Sequence, residues 1–81
     1  MLTKATLISR NSKNGFDWIE DHVPLGKVYW VDLASIVSLR WGHESRPGES
    51  FYYDCICAYD TPEGGYHEYL PLELLQIEAN A

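Results

Sequence analysis

The chain has 81 residues, 12 acidic and 6 basic side chains, and a formal net charge of −6. That length leaves room for one domain spanning residues 1–81 and excludes most two-domain architectures. With 46% hydrophobic and 22% charged residues the composition is that of a globular protein, and the acidic balance argues against a phosphate backbone as the partner.

In chain order, Leu2–Arg10 is the first strand candidate, and its imperfect alternation is that of an edge strand. Asn11-Ser12-Lys13-Asn14-Gly15 is a turn cluster. The segment from Phe16 to Leu25 fits either one helical turn over Asp17–Asp21 or an ordered loop, and Pro24 and Gly26 end it. Lys27–Asp32 is a strand by composition, with Val28, Tyr29, Trp30 and Val31. Asp32-Leu33-Ala34-Ser35 reads as a tight connection, because Asp and Ser bond their own backbone in preference to a ladder. Ile36–Trp41 is the next strand, with Val37, Leu39 and Trp41 on one face and Ser38 and Arg40 on the other. Gly42–Ser50 is a polar loop around Pro47-Gly48.

Phe51–Tyr59 is the clearest strand. Its odd positions, Phe51, Tyr53, Cys55, Cys57 and Tyr59, read as the buried face, and its even positions, Tyr52, Asp54, Ile56 and Ala58, with Asp60 next in series, as the face that carries the carboxylates. Asp60-Thr61-Pro62-Glu63-Gly64-Gly65 is a hairpin loop with glycine for positive φ, and Tyr66–Leu70 is the return strand. Pro71–Leu75 predicts a short helical turn, and Gln76–Glu78 a last short strand that closes the sheet. Ala79-Asn80-Ala81 is a frayed tail. The sum is a mainly β fold: a small, strongly bent antiparallel sheet or an SH3-like, partly open barrel of 4–5 strands with a short C-terminal helical turn.

The charge is distributed unevenly along this framework. Residues 1–46 hold six basic and five acidic groups, for a net of +1. Residues 47–81 hold Glu49, Asp54, Asp60, Glu63, Glu68, Glu73 and Glu78 with no Lys or Arg, for a net of −7. Such a field repels nucleic acid and attracts basic protein surfaces; its simplest alternative role is a solvated, solubilising face.

Catalytic signals are weak. Glu63-Gly64-Gly65 lacks the spacing of a phosphate loop, and no nucleophile-elbow sequence occurs. Cys55 with a histidine would make a nucleophilic pair, but its parity with Phe51, Tyr53 and Tyr59 is that of a core thiol. Cys55 and Cys57 lie too close in sequence for a usual disulfide, and His22, His43 and His67 are too irregularly spaced to complete a metal site. Neither a metal nor another cofactor is expected. Reduced thiols, the lack of a signal-peptide core and the lack of a membrane-length apolar run point to a cytoplasmic protein.

The runs Val28–Val37 and Tyr66–Leu75 resemble small all-β accessory proteins of phages and prophages, in which strand, short turn, Ile-containing strand, hairpin and terminal turn recur. That resemblance covers at most about half of the chain and carries no diagnostic motif, so no site residue transfers with it. It implies a protein that binds and inhibits a host protein or nucleoprotein, as anti-CRISPR proteins do, several of them as acidic nucleic-acid mimics. The expected function is therefore non-enzymatic binding of a basic protein surface, such as that of a nucleic-acid-binding host factor. The expected contact face is Tyr52, Asp54, Asp60, Glu63, Tyr66 and Glu68. A second reading is an assembly module that forms a homodimer through the Leu2–Arg10 edge. A third is a small enzyme or metal protein built on Cys55, Cys57 and the histidines.

Overall fold

The computed structural model describes residues 1–12, 17–43 and 46–78. The part of the expected Asn11–Gly15 turn beyond Ser12, and the tail Ala79–Ala81, lie outside these residues. The fold is mainly β, as composition and alternation require. Five antiparallel strands form one open sheet: β1 (Thr3–Leu7), β2 (Val28–His43), β3 (Arg46–Thr61), β4 (Gly64–Pro71) and β5 (Leu75–Ile77), in the order β4-β3-β2-β1-β5. The edges β4 and β5 do not meet, so the sheet bends without closing into a barrel.

The first strand is not an edge. Thr3–Thr6 pair with Val28–Val31 on one side, and Ala5–Leu7 pair with Leu75–Ile77 on the other. The C-terminal segment returns alongside β1 and takes up its second row of backbone groups, which removes the edge that self-association through Leu2–Arg10 requires. The last strand thus adds to the sheet without closing it.

Residues 17–26 form an ordered loop with no helical turn. The loop is tied down by its backbone: the Trp18 N–H donates to the Arg10 carbonyl at 2.9 Å, and the Gly26 N–H donates to the Leu7 carbonyl at 2.8 Å. The Arg10 guanidinium donates to the Val23 carbonyl at 2.7 and 2.9 Å. This wraps Ile19, Val23 and Trp18 over the core of Ala5, Leu7, Tyr29, Val31, Ile56, Ala58, Leu70, Leu74 and Leu75.

Asp32–Ser35 does not separate two strands; it forms an irregularity inside one. Asp32 pairs with Cys57 and Val37 with Cys55, so four residues of β2 oppose the single Ile56 of β3. The expected local bonds are present: the Ala34 N–H donates to Asp32 Oδ1 at 3.0 Å, and Ser35 Oγ donates to the Asp32 carbonyl at 2.6 Å. At its far end the ribbon runs on into the expected Gly42–Ser50 loop, with Gly42 paired to Ser50 and His43 to Arg46.

The buried face of β3 also differs from simple alternation. Tyr53 and Cys55 at odd positions are buried, but so are Ile56 and Ala58 at even ones, at 0% and 1% exposure. A long two-stranded ribbon twists strongly, so one wrapping segment covers opposite parities at its two ends. Trp18 shows this: it packs against the core at one end and meets Tyr53 edge-on at the other, with centroids 5.2 Å apart.

The β3–β4 hairpin and the C-terminal turn follow the sequence closely. Thr61 pairs with Gly64 across Pro62-Glu63, and Gly64 and Gly65 take φ of +102° and +88°. Pro71 precedes a 3-10 turn at Leu72–Leu74, from which the Leu74 carbonyl accepts the Ile8 N–H at 2.8 Å.

Both thiols are free and buried. Burial, helped by the Asp54 and Glu73 carboxylates, pushes the Cys55 thiol from 9.0 up to about 11. A raised folded value stabilises the protein fully below pH 9.0, and that contribution is lost as pH rises through about 11. Tyr29, raised chiefly by burial, adds a loss that begins above pH 10.0. The urea midpoint is therefore expected to fall as pH rises above 9, and Cys55→Ala is expected to flatten the first part of that fall. An equally steep fall in the variant refutes the assignment to Cys55.

Candidate functional site

The β3–β4 pairing brings three of the expected contact residues together. Ala58 pairs with Glu68, so Asp60, two residues beyond Ala58, and Tyr66, two residues before Glu68, share the core-side face at the hairpin end of the sheet. Tyr29 from β2 lies beside them and feels both the Asp60 and Glu68 charges. Lys27, just before β2, donates from Nζ to Asp60 Oδ1 at 3.2 Å, and the same ammonium stands 4.6 Å from the Tyr29 ring centroid. Burial pulls the Lys27 pKa down, but the Asp60 hydrogen bond and the Tyr29 and Asp60 charges outweigh it, so the net shift is upward. The site holds a positive charge well.

Opposite this face stands the Trp18–Val23 loop. Between them lies an open cleft of about 330 Å³, lined on the loop side by Trp18, Glu20 and His22 and on the sheet side by Tyr29, Tyr66 and Glu68. His22 Nδ1 lies 3.1 Å from Glu20 Oε2 on the outer rim. Glu68 is half-buried and has no ion-pair partner among the described residues. Tyr66 is 70% exposed.

The other three expected residues are elsewhere. Tyr52 and Asp54 are exposed on the even face of β3 but pair with Arg40 and Ser38. Asp54 is six positions from Asp60, roughly 20 Å along an extended strand. Glu63 is exposed at the tip of the hairpin. The expected face therefore divides into a group at the cleft, Tyr66 and Glu68 on its wall with Asp60 beside them on Lys27, and a separate pair, Tyr52 and Asp54.

Sequence reading did not find the loop side of the cleft, since residues 17–23 have no periodicity to signal a role. It also missed an aromatic row on the opposite sheet face. Trp30, Tyr59 and His67 are successive register partners across β2, β3 and β4, and Cys57 and Tyr69 pair in the next row. The Tyr59 and His67 rings lie 5.3 Å apart. Among the described residues, no group of three or more His, Cys, Asp or Glu side chains is placed to hold a metal, and no helix is long and apolar enough to cross a membrane.

Compared with known protein families, with curated proteins and with solved structures, the chain finds no match in any of the three.

Proposed function

We propose that the chain is a non-enzymatic binding protein that docks its acidic, Tyr-bearing hairpin on a basic protein surface. The observation that carries this reading is the placement of Glu68 and Tyr66 on the wall of one cleft, with Asp60 beside it on Lys27, within a segment after Arg46 that has seven carboxylates and no Lys or Arg. Carboxylates beside tyrosine rings recognise Lys and Arg by ion pairing and cation–π contact, and they steer association with a basic partner. Lys27, held between Asp60 and the Tyr29 ring, is an intramolecular instance of that contact.

The finer reading is a phage or mobile-element accessory protein that inhibits a host protein or nucleoprotein, anti-CRISPR-like, by occupying a surface that otherwise holds nucleic acid. It is supported by the resemblance of Val28–Val37 and Tyr66–Leu75 and by the −7 charge of residues 47–81. Two buried free thiols fit a cytoplasmic setting. The test is affinity capture from bacterial lysate with mass-spectrometric identification, comparing the native chain with Asp60→Lys/Glu68→Lys. Circular dichroism melts confirm that the variant folds. Recovery of the partner is expected to fall at least about tenfold, the effect of losing 1.4 kcal/mol. Equal recovery by the folded variant overturns the reading.

A further inference from the structure

The outer side of β4, which stands last in the strand order, is an unpaired sheet edge. The strand at the opposite end of the order, β5, is only three residues long, whereas β4 runs for eight, from Gly64 to Pro71. Edges are commonly blunted by lysines, prolines or bulges. The central residues of β4, Tyr66-His67-Glu68-Tyr69, contain no Lys and no Pro, and the register shift in its pairing lies at the hairpin end, between Tyr59 and Thr61. The edge is therefore open to strand addition, in which main-chain bonds supply affinity and alternate side chains supply specificity.

We propose that this edge receives an extended strand of the basic partner, with one Lys or Arg of that strand opposite Glu68 and reaching into the cleft beside Tyr66. This inference rests on the basic-partner reading above. Charge selects the occupant. Lys27 lines the cleft but is engaged by Asp60 beside it, and Glu20 stands beside His22, while the half-buried Glu68 has no ion-pair partner among the described residues. A residue paired directly opposite Glu68 would have its Cβ about 4.5–5.5 Å from that of Glu68, well within reach of a lysine stem. On the other face the neighbours of the incoming strand are His67 and Tyr69, which favour an apolar or β-branched residue. The ligand pattern is thus basic residues alternating with uncharged ones.

The test uses an acetylated, amidated octapeptide of alternating Lys and Thr, its Glu-Thr counterpart, and a Lys-Thr version N-methylated at alternate backbone nitrogens. Binding and amide exchange are followed by NMR of the labelled protein. The Lys-Thr peptide is expected to slow exchange at β4 amides. Its affinity is expected to fall at least about tenfold with Glu68→Gln, with N-methylation or with the Glu-Thr sequence. Equal binding in any of those three comparisons overturns the inference. Binding that depends on Asp60 and Glu68 but leaves β4 exchange unchanged overturns the strand addition while sparing the basic-partner reading. Absence of binding to the octapeptide and also to polylysine overturns both. Slowing of β4 exchange with rising protein concentration alone makes a second copy the occupant and overturns the proposed partner.

Discussion

Leu7→Ala is expected to cost about 3–4 kcal/mol, in the middle of the range for truncating a fully buried leucine. Leu7 has 0% exposure and lies where three parts of the chain converge. Its strand pairs with β5 through Leu75, its N–H donates to the Lys27 carbonyl at 2.9 Å, and its carbonyl accepts the Gly26 N–H at 2.8 Å. Those backbone bonds hold the strand in place, so the site has little freedom to collapse around the lost methyl groups. A chain of 81 residues has a total stability of about 4–12 kcal/mol. The substitution therefore removes about a quarter or more of it, and the melting temperature is expected to drop by about 15–25 °C. Leu33→Ala is the control. Leu33 is 44% exposed on the β2 irregularity, and its truncation is expected to stay within about 0.5 kcal/mol. A Leu7 variant that melts as the Leu33 variant does would mean that the β1–β5 pairing is not part of the core. Binding is expected to weaken with Leu7→Ala only in proportion to the unfolded fraction, because Leu7 does not line the cleft.

The chemistry of local segments was legible in the sequence, and long-range placement was not. Thr61–Gly64, Pro71 and the Asp32–Ser35 bonds all depend on residues a few positions apart, and all were expected from residue type. Whether β1 is an edge depends on where residues 75–77 land, about seventy positions later, and nothing near Leu2–Arg10 records it. The site divides in the same way. Asp60, Tyr66 and Glu68 share a hairpin, so parity and a short loop place them together. Tyr52 and Asp54 share that parity, but parity carries no distance, and they stand at another level of the ribbon. Trp18, Glu20 and His22 reach the cleft only because Arg10 and the backbone of β1 pin their loop across the sheet.

Ser35→Ala is expected to destabilise the protein by about 1–3 kcal/mol, far more than most substitutions at half-exposed serines. Ser35 Oγ does two things at the irregularity: it donates to the Asp32 carbonyl at 2.6 Å, and it accepts the Cys57 N–H at 2.9 Å. The second bond stands in for the ladder partner that β2 withholds where its extra residues bow out. Alanine leaves the amide of a buried residue unsatisfied, which costs the desolvation of that group as well as the bond. Hydrogen exchange at Cys57 is expected to accelerate at least about tenfold, and Ser35→Thr, which keeps the hydroxyl, is expected to recover most of the loss. Unchanged exchange at Cys57 in the alanine variant would refute this role. The consequence extends beyond one bond. The extra residues reverse the parity of β2, so that Tyr29 and Val31 face the core while Val37, Leu39 and Trp41 pair with Cys55, Tyr53 and Phe51. A continuous ladder from Asp32 opposite Cys57 would instead set Ser38 against Phe51, in the place Trp41 holds. Trp41 would then lose its seat against Trp18, where the two rings now meet at 5.0 Å. Trp18 also lines the cleft, so the hydroxyl of Ser35 is coupled through the β2 register to the wall of the proposed binding site. Ser35→Ala is accordingly expected to weaken partner binding beyond its unfolded fraction, and Leu7→Ala is not.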